Sequence, residues 1–176
     1  MKKSCVFTVL FALLLAATLT AQQQTSQELP TYTPEQRWER ASSQITASFV
    51  LAISYAKSLG QSAEEYGAYA AKLFTPGWGD PGTGSLDIIR GVRRNHLMWS
   101  GAEYEIVESS GSSVTGRVNR PWAKYFGEDK ISYGVTLDEL EVVWRTFHRL
   151  LAEYKGLKYK DQVKDDWLYM TFSKKE

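Results

Sequence analysis

The segment from 136 to 172 constrains the fold most, because one long helical pattern in it is followed directly by two strand patterns. A capping box at Thr136–Glu139 predicts the start of a helix, and Gly156 predicts its end. Between them, apolar residues recur at three- and four-residue spacing, which predicts a helix with one apolar face. This face consists of Leu137, Leu140, Val143, Trp144, Phe147, Leu151 and Tyr154. The helix must therefore pack against another apolar surface.

Strand patterns lie on both sides of this helix. After it, Tyr159–Val163 and Trp167–Phe172 alternate apolar and polar side chains around a turn at 164–166, which predicts a C-terminal β-hairpin. Before it, similar alternation in 104–118 around a serine-rich turn predicts another hairpin. The segment 119–135 is rich in aromatic residues and irregular, and it is assigned only as a loop with room for one strand.

Three helices are predicted upstream of the first hairpin. They cover 33–60, 62–77 and 85–101, and the first two form a helical hairpin. Ser85 is the expected N-cap of the third helix. The fold class is therefore α+β: an N-terminal helical hairpin and a third helix, then a β-hairpin, a long amphipathic helix and a C-terminal β-hairpin. The strands are expected to form a small antiparallel sheet with helices on one face.

The N-terminal residues have the pattern of an export signal. Lys2 and Lys3 precede an apolar run at 6–15, which is too short to span a membrane, and small residues end the pattern at Ala21. We therefore expect a signal peptide at 1–21, a flexible polar leader at 22–32 and a single α+β domain at 33–176. The mature protein is expected in the periplasm or outside the cell, without a transmembrane segment.

Cysteine content and charge exclude several classes of function. The only cysteine, Cys5, lies within the expected signal, so the mature chain has no disulfide framework, no thiol nucleophile and no lipid-accepting cysteine. Basic and acidic residues are nearly balanced, which argues against nucleic acid or an anionic membrane as a partner. No zinc-binding spacing is present, so we expect neither a metal nor another cofactor.

The sequence GWGDPG at 77–82 matches the glycine spacing of loops that bind a dinucleotide's pyrophosphate. Such a loop follows a strand and opens a helix, whereas this one follows a helix. Pro81 also removes a backbone donor that a phosphate would need. The motif is therefore interpreted as a turn-rich connection between two helices, in which Trp78 could cover a pocket.

Aromatic residues beside a basic helix predict a site for a small molecule. The chain has six Trp and ten Tyr residues, so a cavity enclosed by rings is feasible. We expect Arg94 or His96 to orient an acidic group, and the ligand to be an aromatic or acidic organic molecule. The aromatic residues proposed to line the pocket are Trp78, Trp99, Trp122, Tyr125 and Trp144.

Two alternatives remain open from the sequence. The first is a small hydrolase-like enzyme that uses His96 or His148 as a base beside Glu128 or Asp129. No serine-hydrolase motif supports it, and the catalytic residues stay unassigned. The second is a protein interaction module, which would present a contiguous exposed apolar patch instead of a cavity. The oligomeric state is not predicted.

Two stretches carry a remote resemblance to known domains. Residues 54–78, SYAKSLGQSAEEYGAYAAKLFTPGW, and 144–172, WRTFHRLLAEYKGLKYKDQVKDDWLYMTF, resemble a loose group of small bacterial domains. The group includes L-2-amino-thiazoline-4-carboxylic acid hydrolase-like proteins and 4-vinyl reductase-type ligand-binding domains. The resemblance implies an α+β domain that holds a small organic ligand between helices and sheet. It transfers no catalytic residue, and the absence of a cysteine favours binding over hydrolysis.

Overall fold

A computed structural model of the chain describes residues 31–80, 82 and 84–175. The expected export signal lies outside these residues, and so does the expected leader apart from its last two residues. Four α-helices occur in the described part of the chain, and two short 3-10 helices accompany them. The α-helices are α1 (Pro34–Ser58), α2 (Ala63–Phe74), α3 (Ser85–His96) and α4 (Leu137–Tyr154). The 3-10 helices span Thr75–Trp78 and Ala123–Tyr125.

Six strands in the same residues form two antiparallel sheets. Four of them pair in the order β1-β2-β6-β5, and the remaining two form a short β3-β4 pair. The strands are β1 (Tyr104–Ser109), β2 (Ser113–Asn119), β3 (Ile131–Ser132), β4 (Val135–Thr136), β5 (Leu157–Lys164) and β6 (Trp167–Lys174). The fold is therefore α+β, and both predicted hairpins are confirmed. None of the described helices combines the length and apolar character needed to cross a membrane.

The helices cover one face of the four-stranded sheet. Along β2 and β6 every second residue is buried, and these residues share the face that contacts α3 and α4. His148 of α4, for example, lies with its ring centroid 6.4 Å from that of Phe172. On the opposite face, the guanidinium of Arg117 lies 4.4 Å from the ring centroid of Trp167 and bonds Glu105 at 2.7 Å. The alternation in sequence thus separates a core face from a solvent face.

The helix boundaries agree with the sequence except around α3. The capping boxes at Ser62–Glu65 and Thr136–Glu139 are both present. The N-cap of α3 is Gly84 and not Ser85, because Ser85 is buried in the first turn and makes no capping bond. The helix also ends at His96, earlier than 101, since the backbone beyond it bonds to α1: Trp38 Nε1 donates to the carbonyl of Met98 at 2.9 Å.

The second helix packs most closely against α4. A Cβ added at Gly67 would lie 2.8 Å from the carbonyl oxygen of Val143 and 3.1 Å from Cβ of Thr146. The absence of a side chain therefore lets two helix backbones approach each other. Although α1 and α2 are consecutive in the chain, it is α4 that fixes the position of α2.

The irregular segment before α4 is held by a buried carboxylate. Glu141 of α4 accepts from Arg120 Nε at 2.7 Å and from Trp122 Nε1 at 2.9 Å. Both partners precede the short β3-β4 pair, so two charge-assisted hydrogen bonds fix a segment that has no periodicity of its own. Trp122 is completely buried as a result.

Replacing Gly67 with alanine is expected to destabilise the protein by about 1–3 kcal/mol, because the new methyl group meets the backbone of α4, which cannot move aside. The gain in helix propensity, about 1 kcal/mol, offsets part of this cost. Urea unfolding measures the change. Gly77→Ala is the control, since a Cβ there has no atom within 4 Å. Equal stability of both variants and the wild type would contradict close packing at Gly67.

Candidate functional site

A cavity of about 410 Å³ lies among the four helices. Its walls are almost entirely aromatic and aliphatic, and exposed Phe74 lies at its rim. The lining residues are Phe49, Tyr66, Ala70, Phe74, Gly77, Trp78, Asn95, His96, Met98, Trp99, Val143, Trp144, Phe147 and His148. Helix α4 supplies four of them at three- and four-residue spacing, which is the spacing of its predicted apolar face.

Large rings around Trp144 form the floor of the cavity. The ring centroid of Trp144 lies 4.6 Å from that of Trp122, 5.1 Å from Trp99 and 5.9 Å from Phe49. The Trp122 and Phe49 contacts are edge-to-face, the geometry that ring quadrupoles favour.

Two buried histidines face each other across this floor. The ring centroids of His96 and His148 are 5.7 Å apart. His96 Nδ1 donates to the carbonyl of Val92 at 2.8 Å, so in the neutral ring the proton is on Nδ1 and Nε2 is the acceptor. Burial lowers the pKa of His96 to about 4, although its bond to Val92 acts in the opposite direction. Burial, together with the neighbouring His96, lowers the pKa of His148 to about 3.

Unpartnered polar atoms lie between the histidines and the sheet. Among the described residues, Tyr104 Oη, Tyr159 Oη and His148 Nδ1 are buried without a hydrogen-bond partner. The ring of His96 is 6.2 Å from that of Tyr104, and the ring of His148 is 5.8 Å from that of Tyr159. Gly116 makes room for the Tyr104 hydroxyl, because a Cβ there would clash with it. Such atoms are rare in folded proteins, and each calls for a specific explanation.

The cavity carries no formal charge. No Asp, Glu, Lys or Arg of the described residues lines it, and both histidines are neutral at pH 7. An ionised group without a partner loses its hydration in such a place at a cost of several kcal/mol or more. The interior therefore favours the uncharged part of a ligand.

Four of the seven residues proposed from the sequence meet at this cavity: Trp78, His96, Trp99 and Trp144. The other three lie elsewhere. Trp122 packs behind Trp144 and bonds Glu141. Tyr125 donates its hydroxyl to Glu39 at 2.9 Å. Arg94 lines a separate cavity of about 260 Å³ on the other side of Trp78.

Several lining residues were not proposed from the sequence, although they lie at positions with the spacing of an apolar helix face. Phe147 belongs to the predicted apolar face of α4, and Phe49 recurs at three- and four-residue spacing with Ile45, Ala52 and Ile53 on α1, so neither could be distinguished from an ordinary core residue. Tyr66 occupies the same kind of position on α2. The close approach of α2 to α4 converts these core positions into a cavity wall.

Lys155 fixes the conformation of the loop that carries Trp78. Its ammonium is buried and donates to the carbonyls of Trp78 at 2.9 Å, Asp80 at 2.7 Å and, between them, Gly79. Gly79 has a φ of +89°, a conformation that turns its carbonyl toward the lysine. These three loop carbonyls thus form a cradle for the ammonium of Lys155. The sequence did not predict that Lys155 would bind this loop.

The carboxylates suggested for acid/base chemistry do not accompany the histidines. Glu128 lines a different groove, and Asp129 accepts from the backbone of Ile131 at 3.0 Å. In the part of the chain that the structure describes, no three His, Cys, Asp or Glu residues are grouped to hold a metal ion. The cavity therefore offers two neutral imidazoles without an orienting carboxylate.

No family model, curated protein or solved structure was found to match this chain.

The buried histidines are expected to make stability depend on pH. Unfolded histidines take up protons below their ordinary pKa of 6.5, whereas the folded ones do so only near pH 4 and 3. The unfolding free energy is therefore expected to fall from pH 6.5 towards pH 4, by about 1.4 kcal/mol per pH unit for each histidine. Urea unfolding at pH 7 and pH 5 measures this change. The double variant His96→Phe/His148→Phe should lose less stability, and an equal loss would contradict the prediction.

Replacing Lys155 with methionine is expected to leave three loop carbonyls without their donor and to lower the unfolding free energy by about 1–3 kcal/mol. Trp78 should become more mobile, which its fluorescence anisotropy would report in a variant whose other tryptophans are replaced by phenylalanine. Lys158→Met is the control, because Lys158 is exposed on β5. Equal effects of the two substitutions would show that the ammonium does not fix the loop.

Proposed function

We propose that this domain binds a small organic molecule with an uncharged aromatic body in the cavity between the four helices. The observation that carries the proposal is the cavity itself: about 410 Å³, lined mainly by rings and by no charged side chain of the described residues. Ligand sites in proteins commonly measure about 300–1,000 Å³ and are mainly apolar with a few polar groups.

The polar groups of the cavity define how such a ligand would be oriented. The hydrogen-bonding side chains in the lining include Asn95, Tyr66 and the two histidines. Neutral imidazoles pair with hydroxyl, N–H or carbonyl groups without requiring charge on the ligand. A flat aromatic body would make edge-to-face contacts with Trp99 and Trp144, which contribute about 0.5–1.5 kcal/mol per ring pair beyond area burial.

The proposal includes export to the periplasm or the exterior, which is supported by the signal-like sequence at 1–21. It also agrees with the remote resemblance to small bacterial ligand-binding domains. Binding is preferred to catalysis because no carboxylate of the described residues lines the cavity beside the histidine pair.

N-phenyl-1-naphthylamine, a neutral fluorescent compound, tests the proposal directly. We expect saturable binding of one molecule per chain, with a blue shift as the compound leaves water. Ala70→Phe places a ring in the cavity and is expected to weaken binding at least about tenfold, which corresponds to about 1.4 kcal/mol of lost contact.

The matched control is Ala68→Phe, which makes the same change on the same helix at a half-buried residue outside the lining. It should leave binding within about twofold of the wild type. Circular dichroism and urea unfolding must show that both variants fold. If the compound does not saturate, or if both variants weaken binding equally, the cavity is not the binding site.

A further inference from the structure

A second cavity adjoins the first and differs from it in charge. It measures about 260 Å³ and shares three lining residues with the main cavity, namely Gly77, Trp78 and Asn95. It also contains Asp87 and Arg94, whereas no charged side chain of the described residues lines the main cavity. The two cavities are therefore neighbours, and only the second is lined by charged side chains of the described residues.

The indole of Trp78 separates the two compartments. On one side it lies on α3, where a Cβ at Gly91 would be 2.5 Å from Cζ3 of Trp78. On the other side its ring centroid is 6.1 Å from that of Phe147 in the main cavity. The missing side chain at Gly91 sets the ring against the helix backbone, and Lys155 holds the loop that carries it. Trp78 is thus a fixed partition.

The two charges lie at opposite ends of the second cavity. Asp87, Gly91 and Arg94 occupy one face of α3, and a separation of seven residues corresponds to about 10 Å along a helix. Asn95 lies next to Arg94 in sequence and lines both cavities, so the arginine end borders the main cavity. A group that extends past Asn95 therefore meets Arg94 first.

Arg94 has its hydrogen-bonding capacity available. Within residues 31–80, 82 and 84–175 its side chain makes no hydrogen bond or ion pair, whereas Asp87 already pairs with Arg90 at 3.4 Å. The surroundings add positive charge, because Arg90 and Arg93 share the helix and the Lys155 ammonium lies behind the loop. Guanidinium groups bind carboxylates through two parallel hydrogen bonds, and such pairing suits an exposed, solvated end of a site.

We propose that the two cavities form one bipartite site for an aromatic ring joined by a short chain to an anionic group such as a carboxylate. The ring occupies the main cavity, the chain passes Asn95 at the edge of Trp78, and Arg94 binds the anion. This inference rests on the proposed function, since it needs the main cavity to hold the aromatic body. The acidic group of the ligand thus binds Arg94, and its neutral aromatic body lies beside the histidines of the main cavity.

Calorimetric titration with indole-3-acetate, indole-3-propionate and indole-3-butyrate tests the inference, with the primary amide of each acid as its neutral counterpart. At least one acid is expected to bind more tightly than its amide by about fivefold, the effect of an ion pair that is exposed to solvent. Raising the salt concentration should reduce this difference. The chain length that gives the largest ratio measures the distance between the ring and Arg94.

Arg94→Gln and Arg93→Gln form the matched pair of variants. Both residues are exposed on α3, and Arg94 lines the second cavity whereas Arg93 does not. Arg94→Gln should abolish the preference for acids and leave the amides unchanged, whereas Arg93→Gln should preserve the preference. Equal binding of acids and amides by the wild type, or an equal effect of both variants, would overturn the bipartite site.

The outcomes also separate this inference from the proposed function. If the amides bind and Ala70→Phe weakens them, but Arg94→Gln changes nothing, the aromatic site stands and the anionic end is wrong. If neither acids nor amides bind, the bipartite site is wrong, and the proposed function fails as well only if N-phenyl-1-naphthylamine does not saturate. Tighter binding of tryptamine than of the amides would point to Asp87 and a cationic ligand, and would overturn the inference.

Discussion

The apolar packing of α4 determines the positions of the other elements. Side chains of α4 contact three neighbours. Val143 contacts α2 at Gly67, Trp144 packs against the rings of α1 and of the chain after α3, and His148 packs on the sheet. Glu141 at its start holds the irregular segment before it. Because one helix contacts every layer, the space enclosed around it depends on the sizes of a few side chains on that helix.

The aromatic cluster around Trp144 both stabilises the core and borders the cavity. Each buried ring pair contributes about 0.5–1.5 kcal/mol beyond burial of area, so the cluster around Trp144 is stabilising although it leaves a cavity. The same apolar surroundings keep His96 and His148 neutral, because desolvation lowers both pKa values. Among the described residues, charged side chains are thus absent from the lining of the main cavity, whereas Asp87 and Arg94 line the neighbouring one.

The loop at 77–82 shows that the same glycine spacing can bind either an anion or a cation. A phosphate-binding loop turns backbone N–H groups inward, whereas the loop at 77–82 turns three carbonyls toward the ammonium of Lys155. The left-handed conformation at Gly79 is needed in either case, so glycine spacing alone cannot distinguish the two. What distinguishes them is a lysine about seventy-five residues away in the sequence.

The sequence by itself determined the α+β class, the two hairpins and the capping boxes, because periodicity and caps are properties of neighbouring residues. It also proposed Trp78, His96, Trp99 and Trp144 as site residues, and these four line one cavity. Only tertiary structure decided that Trp122 bonds Glu141, that α3 ends at His96 and that Lys155 holds the loop. Each of these depends on hydrogen bonds between residues distant in sequence, and no local pattern records them. The cavity depends likewise on the close approach of two helices at Gly67.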